Sequence, residues 1–141
     1  CFELRREERT DWDQLQDALF AECKPVDNAH RLNSHYCAVG KDCTGIERFV
    51  IGDYAWAMEE ALMIGYVRDG FSVKPHLQDS LKNVSKNTKL GSPNKLEAIE
   101  ATTATGEKTT LFHTTHQRLF LWPENRQPTP IILYHSWHDC G

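Results

Sequence analysis

The sequence lacks an uninterrupted apolar run long enough to cross a bilayer. Its longest apolar stretch, residues 44–70, is broken by Asp53, Glu59 and Glu60, whereas a membrane-spanning helix needs about 20 consecutive apolar residues. Positive charge is also scarce, because 16 Lys and Arg stand against 20 Asp and Glu, for a net charge of −4. Electrostatic binding of nucleic acid over a large surface needs a basic face on the protein. We therefore expect no membrane partner, and nucleic-acid contact only through a local patch.

The sequence also lacks an even number of cysteines. Five are present: Cys1, Cys23, Cys37, Cys43 and Cys140. A disulfide framework built from an odd number would leave one thiol unpaired. This count favours a reducing compartment, and hence a cytoplasmic location.

No internal repeat and no motif that identifies a reaction occurs in the sequence. Its 141 residues, 40% of them apolar, are enough for one domain with a single sizeable core. We therefore expect one domain spanning residues 1–141. The function has to be argued from local patterns.

The stretch 44–70 predicts a long central helix. Thr44, followed three residues later by Glu47, matches a capping box at the first turn. Gly70 is placed to take the left-handed conformation that closes a helix. Between these ends, apolar residues recur at helical spacing and form a face wide enough for a core.

The flanking segments predict the remainder of an α+β fold. A first helix is expected from Thr10 to about Cys23, and a third from Pro75 to Val84. Strands are expected over residues 96–104, 108–122 and 130–138, with a hairpin turn at residues 105–107. The predicted fold therefore packs about three N-terminal helices on a C-terminal antiparallel sheet of three to four strands.

A second stripe on the predicted central helix indicates a partner-binding surface. It consists of Phe49, Asp53, Trp56, Glu60 and Met63. Aromatic and Met side chains anchor many protein interfaces, and acids between them set specificity. Two alternatives remain open: a helix enclosed in the core with acids at its rim, or acids that act as general bases with raised pKa values.

The last two predicted strands suggest a catalytic cluster. If Leu119 lies opposite Leu133, one sheet face is apolar and the other is polar. The polar face then gathers His116, Arg118, Tyr134 and His138. Two histidines can act as general base and general acid in phosphodiester cleavage without a metal, while an arginine binds the phosphate. The alternative is an ordinary exposed polar face.

The segment between the first two predicted helices suggests a structural zinc site. Its natural ligand set is Cys23, His30, Cys37 and Cys43, with His35 as a substitute. Zinc takes four such ligands and would stabilise a loop that has no periodic structure. The spacing matches no tight Cys-x2-Cys pair, so a Cys37–Cys43 disulfide or plain buried thiols remain alternatives.

Two functions follow from these patterns. The first is a non-catalytic binding or regulatory module that engages a protein partner or a second copy of itself through the stripe. The alternative is a small metal-independent phosphodiester hydrolase that uses the sheet histidines and the arginine. No cofactor is required by either hypothesis, apart from the structural zinc.

Overall fold

The computed structural model of the protein describes residues 2–3, 18–40 and 44–141. Strand β1 (Phe2–Glu3) pairs with β2 (Ala18–Leu19) in a short antiparallel ladder. The main sheet is formed by β3 (Ala21–Val26), β4 (Glu60–Val67), β5 (Glu97–Thr102), β6 (Lys108–His116) and β7 (Ile131–Asp139). Its strand order is β3-β4-β7-β6-β5, with β3, β4 and β7 parallel and with β6 antiparallel to both of its neighbours. The sheet is therefore mixed.

Helical structure in the described residues is limited to short segments. They are a 3-10 turn (Leu32–Ser34), α1 (Ile46–Val50), a π-helical turn (Val73–Leu77) that continues into α2 (Gln78–Leu81), α3 (Val84–Asn87) and a 3-10 turn (Pro123–Asn125). The predicted fold of three helices on a three- to four-stranded antiparallel sheet was therefore wrong. Residues 18–23, expected to end the first helix, belong to β2 and β3. Residues 10–17 of that helix lie outside the described residues.

The stretch predicted as one central helix contains two different elements. Helix α1 ends at Val50, the chain turns over residues 51–59, and β4 follows. The expected capping box is absent, because Thr44 Oγ1 donates to the His35 carbonyl and the Glu47 carboxylate accepts from the Gly40 N–H. Strand β4 carries apolar residues on both of its faces. Such a strand shows no alternation of polar and apolar residues, so its sequence also fits a helix.

The core lies on one side of the main sheet, which we call the inner face. Ala61, Met63 and Leu133 project from this face and are fully buried. The helices and connections cover them with a layer of buried side chains: Leu32, Tyr36, Cys37, Ile46, Phe49, Val50, Leu77 and Leu90. The outer face carries half-buried and exposed residues such as Leu62 and Tyr66.

The C-terminal strands agree better with the prediction. The expected hairpin is present, with β5 and β6 joined by a turn in which the Gly106 N–H donates to the Thr103 carbonyl. Strand β7 occupies almost the residues that were expected. No helix among the described residues is both long and apolar enough to span a membrane.

Candidate functional site

The register of β6 and β7 separates the residues of the predicted catalytic set, His116, Arg118, Tyr134 and His138. We expected Leu119 opposite Leu133, but Thr114 occupies that position. The shift is an odd number of residues, and an odd shift moves a side chain to the other face of a sheet. His116 therefore lies on the inner face and is fully buried, whereas Tyr134 lies on the outer face. The expected shared face was wrong.

Arg118 of this set is enclosed and holds a loop in place. Its guanidinium donates from Nη1 to the Phe49 carbonyl at 2.8 Å and from Nη2 to the Ala55 carbonyl at 2.9 Å. Nη2 also donates to the carbonyl of Met58. Burial lowers the pKa of Arg118 to about 10, so the group stays charged at neutral pH. Arg118 thus ties the turns after α1 to the end of β6.

The two remaining members of the set are more accessible. The Tyr134 hydroxyl donates to Glu60 Oε1 at 3.2 Å, and burial together with this carboxylate raises the pKa of Tyr134. His138 is exposed, and its Nε2 lies 3.0 Å from Ser136 Oγ. Neither side chain shares a face with His116.

Instead of a surface cluster, the histidines form part of a buried chain of hydrogen bonds. The Tyr36 hydroxyl lies 2.9 Å from His135 Nδ1, and His135 Nε2 lies 2.8 Å from Thr114 Oγ1. Thr114 Oγ1 is 2.7 Å from His116 Nε2, whose Nδ1 is 2.6 Å from the Leu90 carbonyl. These side chains are all fully buried. The Trp137 indole N–H donates to the Tyr36 hydroxyl at 3.1 Å and begins the chain.

The hydrogen-bond partners are compatible with two neutral rings. A carbonyl only accepts, so His116 Nδ1 carries a proton, and in a neutral ring its Nε2 accepts from the Thr114 hydroxyl. The Thr114 oxygen then accepts from His135 Nε2–H, and His135 Nδ1 accepts from the Tyr36 hydroxyl. The Tyr36 hydroxyl also lies 3.4 Å from the Met63 carbonyl. With both imidazoles neutral, every ring nitrogen in the chain has a partner.

Burial agrees with this assignment. It lowers the pKa of His116 to about 4, against a smaller opposing effect of the hydrogen bond to the Leu90 carbonyl. Burial, together with the positive charges that His116 and His113 would carry, lowers the pKa of His135 to about 3. In the same cluster, burial raises the pKa of Tyr36 well above its ordinary range. These groups are therefore poor acids and bases at neutral pH.

The predicted zinc ligands that the structure describes, Cys23, His30 and Cys37, do not form a metal site with one another. Cys23 is exposed on β3, and Cys37 is fully buried in the core, where burial raises the pKa of its thiol to about 12. The His30 ring bonds to Asp27 at 2.9 Å. Cys43 lies outside the described residues. In the part of the chain that the structure describes, no three His, Cys, Asp or Glu side chains are placed to hold a metal ion.

The predicted stripe is also dispersed, because its residues are not on one helix. Phe49 and Met63 are fully buried in the core. Asp53 lies 3.6 Å from Arg48, and Glu60 accepts from Tyr134. Trp56 alone among the three apolar members is exposed, with 40% of its surface accessible.

Trp56 lies where two segments that are distant in sequence meet, residues 51–56 and 119–122. We call the apolar residues of these two segments the aromatic patch; they are Ile51, Trp56, Leu119, Leu121 and Trp122. The Trp56 and Trp122 rings meet edge to face at 5.2 Å. The Leu119 N–H donates to the Val50 carbonyl at 2.9 Å, which holds the second segment against the first. Ile51, Leu119 and Leu121 are between 36% and 51% exposed.

A second feature missed at the sequence level is a shielded ion pair on β3. Lys24 Nζ lies 2.7 Å from Glu22 Oε1, and each side chain is only 17% exposed. Alternate residues of a strand project to the same side, and the register places both side chains on the inner face. Charged residues are rarely shielded unless they are paired. In the sequence, the alternation of Glu22 and Lys24 with apolar neighbours could have indicated this pair.

No protein-family model, curated protein or solved structure matches this chain. Among the described residues, the exposed aromatic patch and the largely shielded Glu22–Lys24 pair are the features on which we base the functional proposals.

Proposed function

We propose that this protein is a binding module that engages a protein surface through the aromatic patch, with a second copy of the chain as its partner. The observation that carries the proposal is the exposed Trp56 ring, which meets the Trp122 ring edge to face. Trp side chains dominate the binding energy of many interfaces. Large apolar surfaces that remain exposed on a folded chain mark interaction sites more often than ordinary surface.

The construction of the patch supports this function. Arg118 and the Leu119–Val50 hydrogen bond fix both segments to the core before any partner binds. A rigid surface loses little conformational freedom on association, and this reduces the cost of binding. The predicted partner-binding role of Trp56 is thus kept, while Phe49 and Met63 act as core residues.

The composition of the patch favours a second copy as the partner. None of its five residues carries a charge, so two copies can meet without repulsion between like charges at the centre of the contact. In a two-fold dimer the same surface packs against itself, and edge-to-face aromatic pairs allow such packing. Comparing the sedimentation of the parent chain with that of a Trp56→Ala variant tests the proposal.

A second candidate function is phosphodiester hydrolysis at the Glu22–Lys24 pair. The specific observation is a carboxylate and an ammonium that lie 2.7 Å apart and are each 17% exposed. The Lys24 ammonium would stabilise the negative charge that develops on the phosphoryl oxygens. Glu22 would accept a proton from the attacking water, or it would bind Mg²⁺, which proteins often hold through one or two carboxylates together with substrate phosphates.

In this reaction the water oxygen forms a bond to phosphorus and the bond from phosphorus to the leaving oxygen breaks. The proton of water passes to Glu22 or to solvent, and the leaving oxygen takes a proton from Lys24 or from solvent. Nuclease assays with Mg²⁺ and with a chelator, on the parent chain and on a Glu22→Gln variant, test this candidate. They also separate the two roles of Glu22.

A further inference from the structure

A cavity of about 340 Å³ lies at the carboxyl ends of the parallel strands β4 and β7. The end of a parallel sheet is where ligands bind in open α/β folds, because the loops that follow the strands form a crevice there. Val67 and Asp139 are opposite each other at these two strand ends. The segment that follows β4, residues 70–74, forms the other wall. The volume falls within the range of small-molecule sites.

Three aromatic side chains line the cavity: Phe71, Phe112 and Trp137. All three are partly exposed and pack against the core. The Trp137 ring is fixed, since its indole N–H donates to Tyr36. It also lies over Gly65, where a Cβ would come within 2.7 Å of its Cδ1. Strands β6 and β7 thus hold two of the three rings, Phe112 and Trp137, beside the cavity, and Phe71 comes from the segment that follows β4.

Two opposite charges accompany these rings. Asp139 and Lys74 both line the cavity and are exposed. One Asp139 oxygen accepts from the Gly141 N–H, and Lys74 makes no ion pair or hydrogen bond to the residues that the structure describes. A carboxylate accepts hydrogen bonds from amino groups, and an ammonium attracts phosphate. A planar ring with an amino group and an attached phosphate matches this set.

We propose that the cavity binds one unpaired nucleotide, with its amino-bearing base among Phe71, Phe112 and Trp137 and its phosphate at Lys74. Stacking on aromatic side chains is the usual means of binding single bases. The net charge of −4 favours a single nucleotide over a long duplex, which needs a basic face. The inference does not depend on the aromatic patch, and it holds whether or not Glu22 and Lys24 cleave a phosphodiester.

The test is calorimetric titration of the full chain with adenosine monophosphate, with ribose 5-phosphate and with a short single-stranded oligonucleotide. Ribose 5-phosphate carries the phosphate without the base. Loss of one stacking ring weakens binding by about 5- to 150-fold. We expect this loss for Phe71→Ala, a residue of the connecting segment, and weaker binding for Asp139→Asn. Tyr66→Ala, which removes an exposed aromatic ring from the outer face, is the matched control.

Each result decides the proposal. Binding of adenosine monophosphate that Phe71→Ala weakens and Tyr66→Ala leaves unchanged supports a free nucleotide as the ligand. Binding of the oligonucleotide alone, with the same response to the variants, supports a nucleotide within a strand. Equal affinity for ribose 5-phosphate, equal binding by the Phe71→Ala variant, or no binding of any probe would overturn the proposal.

Discussion

The Tyr36 hydroxyl lies 2.9 Å from His135 Nδ1, across 99 residues of sequence. This bond joins the loop between β3 and α1 to the central part of the sheet. When both imidazoles are neutral, the Leu90 carbonyl sets the tautomer of His116 and, through Thr114, the tautomer of His135. The Tyr36 hydroxyl then supplies the donor that His135 Nδ1 needs.

The first prediction is that Tyr36→Phe destabilises the protein by about 1–3 kcal/mol, because it leaves the buried His135 Nδ1 without a donor. The Trp137 N–H loses its acceptor at the same time. Urea unfolding of the variant and the parent measures the difference. Tyr66→Phe, which removes an exposed hydroxyl, should change the free energy of unfolding by much less. Equal stability of the parent and Tyr36→Phe would contradict the hydrogen-bond assignment.

The second prediction concerns the stability of the folded chain at acidic pH. His116 and His135 have pKa values of about 4 and about 3 in the folded chain, against 6.5 as the ordinary value. At a pH between the folded and the unfolded pKa values, the two histidines bind more protons in the unfolded chain than in the folded chain. The free energy of unfolding is therefore highest above about pH 6.5 and falls as the pH decreases towards 4. From the two pKa differences, the loss between about pH 7.5 and about pH 4.5 is on the order of 5 kcal/mol.

Urea midpoints over this pH range measure the loss. His138→Gln, at an exposed histidine, should keep the same pH dependence. If the His135→Gln variant folds, its loss of stability at low pH should be about half that of the parent, since only His116 remains of the two buried histidines. A parent chain as stable at about pH 4.5 as at about pH 7.5 would rule out two buried neutral histidines.

The third prediction concerns Arg118, which donates to three backbone carbonyls. Arg118→Leu leaves these acceptors without the guanidinium and should cost at least about 3 kcal/mol, because unsatisfied buried groups cost about 1–3 kcal/mol each. Arg118→Lys should recover only part of the loss, since one ammonium cannot reproduce the planar fork. Arg126→Leu, at an exposed arginine, is the control. Unchanged stability of Arg118→Leu would show that the loop needs no such support.

The buried histidines show why the sequence predicted some features and not others. Alternation in β6 and β7 was visible, so the hairpin turn and the last strand were predicted close to their true positions, although β6 ends at His116, six residues before the predicted end. The pairing register depends on the turn between them, which contains left-handed residues Glu124 and Asn125. Sequence spacing does not reveal such turns, and an odd shift in register exchanged the faces.

The prediction of one central helix over residues 44–70 was wrong for a different reason. Ala61 and Met63 face the core, while Leu62 and Ile64 on the other side are half-buried, so β4 has no polar alternation to distinguish it from a helix. Its neighbours β3 and β7 come from distant parts of the sequence. The aromatic patch was missed for the same reason, because contact between Trp56 and Trp122 depends on the three-dimensional fold.

The fourth prediction tests hydrolysis at the Glu22–Lys24 pair. If the pair is catalytic, Glu22→Gln and Lys24→Met should each lower the rate of DNA or RNA cleavage by at least about 100-fold, a typical loss for a missing general base or charge-stabilising group. Asp79→Asn removes an exposed ion pair with Lys82 and should leave the rate unchanged. Circular dichroism melting confirms that each variant folds. A parent chain with no cleavage, or full activity in Glu22→Gln, would exclude this function.

The measurement that tests the main proposal most directly is sedimentation equilibrium of the parent chain and of Trp56→Ala. A buried aromatic anchor is worth at least about 2 kcal/mol, so the variant should have a dimer dissociation constant at least about 30-fold higher. Tyr66→Ala, at an equally exposed aromatic residue outside the patch, should dimerise like the parent. A parent chain that remains monomeric at every concentration, or a Trp56→Ala variant that dimerises as tightly, would contradict the account.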